Sequence, residues 1–485
     1  MVWPAAVVTG DGGNHIAWRI GGREVSVAIG PRHFAGKPGV VCLADEPEVF
    51  SLAPANHTRQ YTQGRRPVFN SGRRGDQAWD AIQLPHIMTG ELSTAFGITI
   101  ALTLLLRIGQ VLLIGGSVRS KNSAATAMRL LLDLTLAALT LWAVGAFFYP
   151  SATAPHGWPV FWHFLGMRAN GAFAWLPAIL IASGVIHAAT AERVRGGPLL
   201  ATTAVFAALV VPLLARLDPS MRFADSAHTN RIEGIACILG GAAALTLAHL
   251  VGPRKGKYNR DLSVNFVPGH NVLLHVVGLA TCFAAWMLIG NSSVHVLVGG
   301  SAAMLTAAAF GRIRFGKVDV ALVTAGTIGG LAAVVSAPML TSFLVNGTPA
   351  VLPGFAALLV GVAAGVVVPF CVMAVETRFR IDDVSGIATA HLAGGVLGLP
   401  LVGLLTGGTF GQRLSAFFSS LLVALIAAAA GAALAMAVAF VARRCNALRV
   451  SESEEFDGAD LSELDLNGYP DFQQNMIKSY HLREM

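Results

Sequence analysis

From Leu92 to Ala442 long apolar stretches alternate with short polar connections. Eleven of them, approximately residues 92–116, 124–149, 171–190, 197–215, 232–251, 270–289, 294–311, 319–337, 351–373, 384–406 and 413–442, are long enough to span a hydrocarbon core of roughly 30 Å. The pattern predicts an all-α polytopic membrane protein of about eleven transmembrane helices. Every second connection is basic: Arg119 and Lys121, Arg193 and Arg195, Arg254 to Arg260, Arg312 to Lys317, Arg378 and Arg380, Arg443 and Arg444. The connections between are rich in Pro, Gly and Ser and carry few charges. The positive-inside bias then places the N-terminus outside and the C-terminus on the cytoplasmic side or its topological equivalent, in keeping with an odd number of spans.

The flanks differ from the middle. Residues 1–90 read as a β-rich extension on the non-cytoplasmic side: His15 to Ile20 and Arg23 to Ile29 form a hairpin about Gly21 and Gly22, and the runs 40–43 and 49–52 add strands. Residues 55–80 turn polar and basic, more loop than strand, and no cationic stretch with an apolar core opens the chain as a signal peptide would. The extension is expected to cover part of the membrane domain, residues 91–445, or to contact a partner in a membrane complex. Residues 446–485 form an acidic tail that reads as solvated and partly disordered, while its spaced Leu461, Leu464 and Leu466 leave room for docking on the basic inner loops.

Composition agrees with the pattern. Of 485 residues 54% are hydrophobic and 13% charged, far from a soluble globular protein. The net charge of +7 does not point to nucleic acid, because the basic residues sit in short loops between spans. Five scattered cysteines make neither a C-x-x-C pair nor a disulfide framework. With no metal-ligand cluster, nucleotide loop or nucleophile motif, no enzyme and no cofactor is expected.

Ionisable residues at bilayer depth are the candidate functional groups. Arg107 in the first span and Asp133 in the second lie at similar depth on consecutive antiparallel helices, which predicts a structural ion pair inside the membrane. His187, His249, His275 and His295 lie nearer helix ends, where a hydrogen-bonded or interfacial role is expected. In R-I-D-D-V-S-G-I-A-T-A-H (380–391), Asp382 and Asp383 are placed to cap a helix N-terminus. His391 follows eight residues after Asp383, roughly 12 Å down the helix at 1.5 Å per residue. Upstream, Asp225 precedes Glu233 by the same eight residues. The loop before Asp383 is basic and that before Asp225 is not, so the two helices enter from opposite faces. This is the signature of an inverted repeat, helices 1–5 and 6–10, with a shared midplane site.

With those residues quoted, the chain from about Leu92 to Phe472 resembles the ammonium transporter family (Amt/Mep/Rh). L-R-I-G-Q-V-L-L-I-G-G-S-V-R-S-K-N (106–122) is similar to the first-helix motif, A-E-R (191–193) to the inner end of the third helix, G-H-N-V-L-L-H-V-V-G (269–278) with Trp286 and Ser293 to the sixth, and residues 380–398 to the tenth. The resemblance implies eleven helices per subunit, a homotrimer, and a narrow pore for ammonium or ammonia in each protomer. It places the second pore histidine at His391 and the first at Glu233, an acid at the outer vestibule at Asp225, the vestibule serine at Ser293 and a gate phenylalanine at Phe173. It further implies that the acidic tail is a regulatory segment, a place for a PII-type regulator. The sequence departs from the family where the second gate aromatic becomes Ile289, where Gly290 follows it, and where Arg107 replaces a neutral residue. Those departures raise an alternative, a transport-inactive relative acting as a sensor or structural subunit.

Overall fold

The computed structural model describes residues 6–10, 13–20, 23–29, 86–145, 172–217, 229–261, 263–289, 293–336, 344–345, 348–349, 353–405 and 409–469. The chain divides into two compact units, residues 1–81 and 82–485. In the first, β1 (Ala6–Gly10), β2 (Gly13–Ile20) and β3 (Arg23–Ile29) form an antiparallel sheet in that order. Ile20 stands opposite Arg23. The turn at Gly21 and Gly22 and the runs 40–43 and 49–52 lie outside the described residues.

The second unit is predominantly helical: α1 (His86–Ser117), α2 (Ser123–Ala143), α3 (Leu176–Thr190), α4 (Gly196–Val205), α5 (Val211–Leu217), α6 (Thr229–Val251), α7 (Val272–Ile289), α8 (Ser293–Phe315), α9 (Val320–Val335), α10 (Pro353–Thr377), α11 (Ile387–Leu405), α12 (Phe410–Arg444), and two short tail helices, α13 (Glu452–Asp457) and α14 (Ala459–Leu464). A π-helical turn over Phe206–Val210 joins α4 to α5 into one span. Among the described residues, nine helical segments are long and apolar enough to cross a membrane, and α9 and the Ile387–Leu401 part of α11 are shorter apolar helices.

Helix α3 is apolar apart from Ser183, His187 and Thr190 and carries no charge, so it must be surrounded on all sides. All fifteen of its residues are buried. The outer helices instead turn large apolar side chains outward: Leu273, Leu305 and Phe418 are exposed on α7, α8 and α12. In water such a surface would drive aggregation; in a bilayer it is solvated by acyl chains.

Lipid supplies no hydrophobic force between helices, so their contacts depend on close backbone approach through small residues. The α1–α7 contact works this way. A Cβ at Gly109 would lie 2.7 Å from the backbone nitrogen of Cys282, and one at Gly278 would overlap the Leu113 backbone. Helix α11 is held likewise against α9 and α6, with Gly394 on the Gly329 backbone and Gly395 on the Ile238 side chain.

Candidate functional site

Four consecutive spans meet in a polar knot. The Arg107 guanidinium (α1) lies 2.6 Å from the Asp133 carboxylate (α2) and donates to Ser183 Oγ (α3) at 3.2 Å. Ser183 donates its hydroxyl to the same Asp133 oxygen at 2.6 Å, and Thr203 (α4) donates to the other. Both ionic side chains are at most 1% exposed. Two charges at this depth are tolerable because each is neutralised and further hydrogen-bonded. Counting depth from helix ends points to Arg107 and Asp133. It does not point to Ser183 or Thr203, whose only sequence signal is a hydroxyl within an apolar run.

His391 sits on the inner face of α11, 4% exposed. Its Nδ1 lies 2.8 Å from the Ile387 carbonyl one turn back. A carbonyl can only accept, so Nδ1 carries the proton and Nε2 is the acceptor of the neutral ring. Trp286 of α7 packs edge-on to the imidazole, with ring centroids 5.8 Å apart at 64°. Beside them is a cavity of about 20 Å³ whose wall includes Gln110, Gly184, Cys282, Trp286, Ile328 and His391. Such a space accommodates one water-sized molecule.

Glu233 lies on α6, which packs directly against α11, and is 4% exposed. The structure brings the two helices together, yet the wall of this cavity holds His391 and not Glu233. Phe173, in a 3-10 turn leading into α3, and Ile289, at the end of α7, are both partly buried against the main core. Asp225 and the side chain of Ser293 lie outside the described residues. Of the other histidines, His187 donates to the Ser183 carbonyl, while His275 lies 3.0 Å from both the Leu113 carbonyl and Thr324 Oγ1.

The two adjacent acids before α11 do different work. Asp383 is the cap: its carboxylate accepts the Thr389 backbone N–H and hydroxyl, both at 2.9 Å. Asp382, expected to share that role, does not. Its carboxylate instead accepts from the Arg254 backbone N–H, Nε and Nη2, each at 2.9 Å, and from Arg193 at 3.2 Å. Two guanidiniums in reach outbid a helix terminus that Asp383 already satisfies. Burial works to raise the Asp382 carboxyl, but Arg193 and Arg254 outweigh it and hold it down at about 2. Glu192, in a left-handed conformation at φ 73°, joins the cluster through Arg119 and Arg254.

The described part of the acidic tail, residues 446–469, is folded onto this end of the bundle and not left in solvent, though its leucines are not the main contact: Leu461 is 44% and Leu466 65% exposed, and Leu464 is half-buried. Its carboxylates make the contacts. Glu454 pairs with Arg195, Glu463 with Arg129, and Glu455 with Arg449 and the Lys255 backbone N–H. Asp460, fully buried, accepts from the backbone N–H groups of Ala124 and Ala125 at the start of α2. Charge decided the docking because the loops beneath offer guanidiniums and free helix amides.

A family model described as the Ammonium Transporter Family matches residues 94–469. The ammonium transporter Amt2 of Haloferax mediterranei is 27% identical over 407 residues, covering 75% of this chain and 86% of that protein. Among solved structures, a sensor Amt protein superposes with a TM-score of 0.66 at 20% identity over 78% of this chain and 100% of that chain. Rh50 of Nitrosomonas europaea does so with 0.57 at 14% identity, covering 82% and 100%. The structural likenesses show a shared fold, and the sequence match reaches from α1 to the docked tail: this chain is a multi-pass integral membrane protein that belongs to the ammonium transporter family.

Proposed function

We propose that the protein passes ammonium or ammonia across a membrane through a channel-like pore running by Glu233 and His391. The observation that carries this reading is His391 itself: a buried imidazole that lines a solute-sized cavity and whose Nδ1 is committed to Ile387, so that Nε2 is the ring's uncommitted nitrogen. An ammonium ion cannot be moved bare through apolar surroundings, since desolvating a charge costs far more than desolvating a neutral amine. In this reading the ion gathers near Asp225 and Ser293 at the outer mouth, between Phe173 and Ile289 it loses its proton, and the neutral molecule continues past Glu233 and His391. A carboxylate and an imidazole in sequence also offer a proton path. The membrane domain comprises eleven spans in two inverted repeats and assembles as a homotrimer. Residues 1–90 form a β-rich extension on the outer side, and the docked tail is where a PII-type regulator acts.

Purified protein in liposomes is expected to give ammonium-gradient currents or internal pH changes that Glu233→Ala and His391→Ala each reduce. A signal no larger than that of empty liposomes would remove the conduction reading.

Three observations favour a second reading, a transport-inactive sensor or structural subunit. The cavity at His391 is about 20 Å³ and Glu233 is not in its wall, and Ile289 stands where the family has an aromatic gate. Migration on native gels with unrelated subunits, in place of a homotrimer, would support it.

A further inference from the structure

Gln110 is an amide in the middle of the apolar run of α1. It is 7% exposed and forms part of the wall of the cavity beside His391. Its Nε2 lies 3.1 Å from the Leu180 carbonyl of α3. Because a carbonyl accepts and only the NH2 end of the amide donates, this contact fixes which way the group is turned. The other arm, Oε1, is buried and has no hydrogen-bond partner among the described residues.

A buried acceptor without a partner is uncommon, because its lost hydration is not repaid. Here the surroundings are shaped to keep it. Gly184 faces the carboxamide: a Cβ at that position would stand 2.6 Å from Nε2 and 2.8 Å from Oε1. Any other residue at 184 would push the amide aside. The group is therefore anchored at one end by α3, given room by a glycine, and set in the same small cavity as an imidazole whose Nδ1 is already engaged. The nearby wall residues Leu113, Ile328 and Ile387 bring no hydrogen-bonding side chain.

We infer that Gln110 is a solute-positioning residue: its Oε1 accepts a hydrogen bond from one small neutral donor held in the cavity beside His391. The volume restricts that donor to a molecule of the size of water or ammonia. Two acceptors of different geometry, an amide oxygen and an imidazole nitrogen, then bind a molecule with several N–H bonds better than either alone. The identification of the donor as ammonia rests on the proposed function; the hydrogen-bonding role of Gln110 does not.

Thermal melting of the purified protein in ammonium chloride, against equal potassium chloride, tests this without any need for conduction, because a ligand that binds only the folded state raises the midpoint. The wild type is expected to show an ammonium-specific rise. Gln110→Leu is expected to need about fivefold more ammonium for the same rise, the loss of one neutral hydrogen bond, while still melting cooperatively in potassium chloride. Should Gln110→Leu not fold, Gln110→Met, closer in length, takes its place. Identical ammonium titrations in wild type and variant overturn the inference. So does a wild type that responds equally to ammonium and potassium, because the amide then positions no solute that ammonium supplies. A Gln110-dependent ammonium rise in a protein that moves no ammonium in liposomes upholds the positioning role and removes the conduction reading alone.

Discussion

Asp460 Oδ1 accepts the backbone N–H of Ala125 at 2.7 Å, a contact that spans 335 positions of sequence. Its other oxygen takes the Ala124 N–H at 3.2 Å. The first amides of a helix have no partner within it, and a carboxylate there also meets the positive end of the helix dipole. A residue of the tail thus supplies the N-terminal cap of a membrane-spanning helix. Folding of the tail and of α2 are linked through a single side chain.

Asp460→Ala is therefore expected to cost about 1–2 kcal/mol, the range for losing a good N-cap. The loss should appear in the tail first, because Glu454 and Glu463 are partly exposed and their pairs with Arg195 and Arg129 hold less by themselves. Limited proteolysis within residues 450–469 should become several-fold faster in the variant. Unchanged cleavage would mean that the cap does not anchor the tail.

The Asp382 cluster predicts a pH dependence. Because its folded carboxyl is held at about 2, below the ordinary 3.8, its contribution is complete above about pH 4 and disappears as pH falls through 2. The sign is that of a depressed acid, losing stability on the acid side only. Asp382→Asn takes the ion-pair partner from buried Arg193 and leaves Arg254 only the longer pair with Glu192 at 3.6 Å, and is expected to cost about 3 kcal/mol at pH 7. The difference in melting temperature between wild type and variant should be constant from pH 7 to 5 and shrink below pH 4. A difference that grows on acidification would contradict the assignment.

What the chain revealed before folding, and what it withheld, follows from which forces are local. Arg107 could be matched to Asp133 because depth along a helix is counted along the sequence. Ser183 and Thr203 could not be added, since nothing local distinguishes a hydroxyl that reaches a neighbouring helix from one that bonds its own turn. Adjacent acids at 382 and 383 carry the same capping signal, and only the arrival of Arg193 and Arg254 from distant connections separates their roles. The tail's attraction to basic loops was legible from charge. Its register was not, because Asp460 finds backbone amides, which every helix offers. Gln110 did leave a signal, an amide in an apolar span, and its meaning emerges only beside Gly184.

The Arg107 knot predicts a non-additive pair. Arg107→Leu leaves the buried Asp133 carboxyl without its counter-charge, with only Ser183 and Thr203 as donors, and is expected to cost about 3–5 kcal/mol. Arg107→Leu combined with Asp133→Leu removes both charges and is expected to recover most of that loss. Melting temperatures of the two variants in detergent decide it. A double variant less stable than the single one would show that the knot contributes more than neutralisation.

Helix approach through glycine gives the last prediction. At Gly394 an added Cβ would overlap the carbonyl oxygen and Cα of Gly329 on the facing helix, which as backbone cannot swing aside. At Gly115 an added Cβ meets nothing within 4 Å. Both residues are helical, so an alanine gains about 0.5–1 kcal/mol of helix propensity at either site. Only at 394 does a clash oppose the gain. Gly115→Ala should melt at or above the wild-type temperature. Gly394→Ala must move α11 away from α9, and with α11 moves His391; it should melt lower and, in liposomes, lose ammonium-dependent signal. If both variants behave alike, the close α9–α11 contact does not set the position of the imidazole.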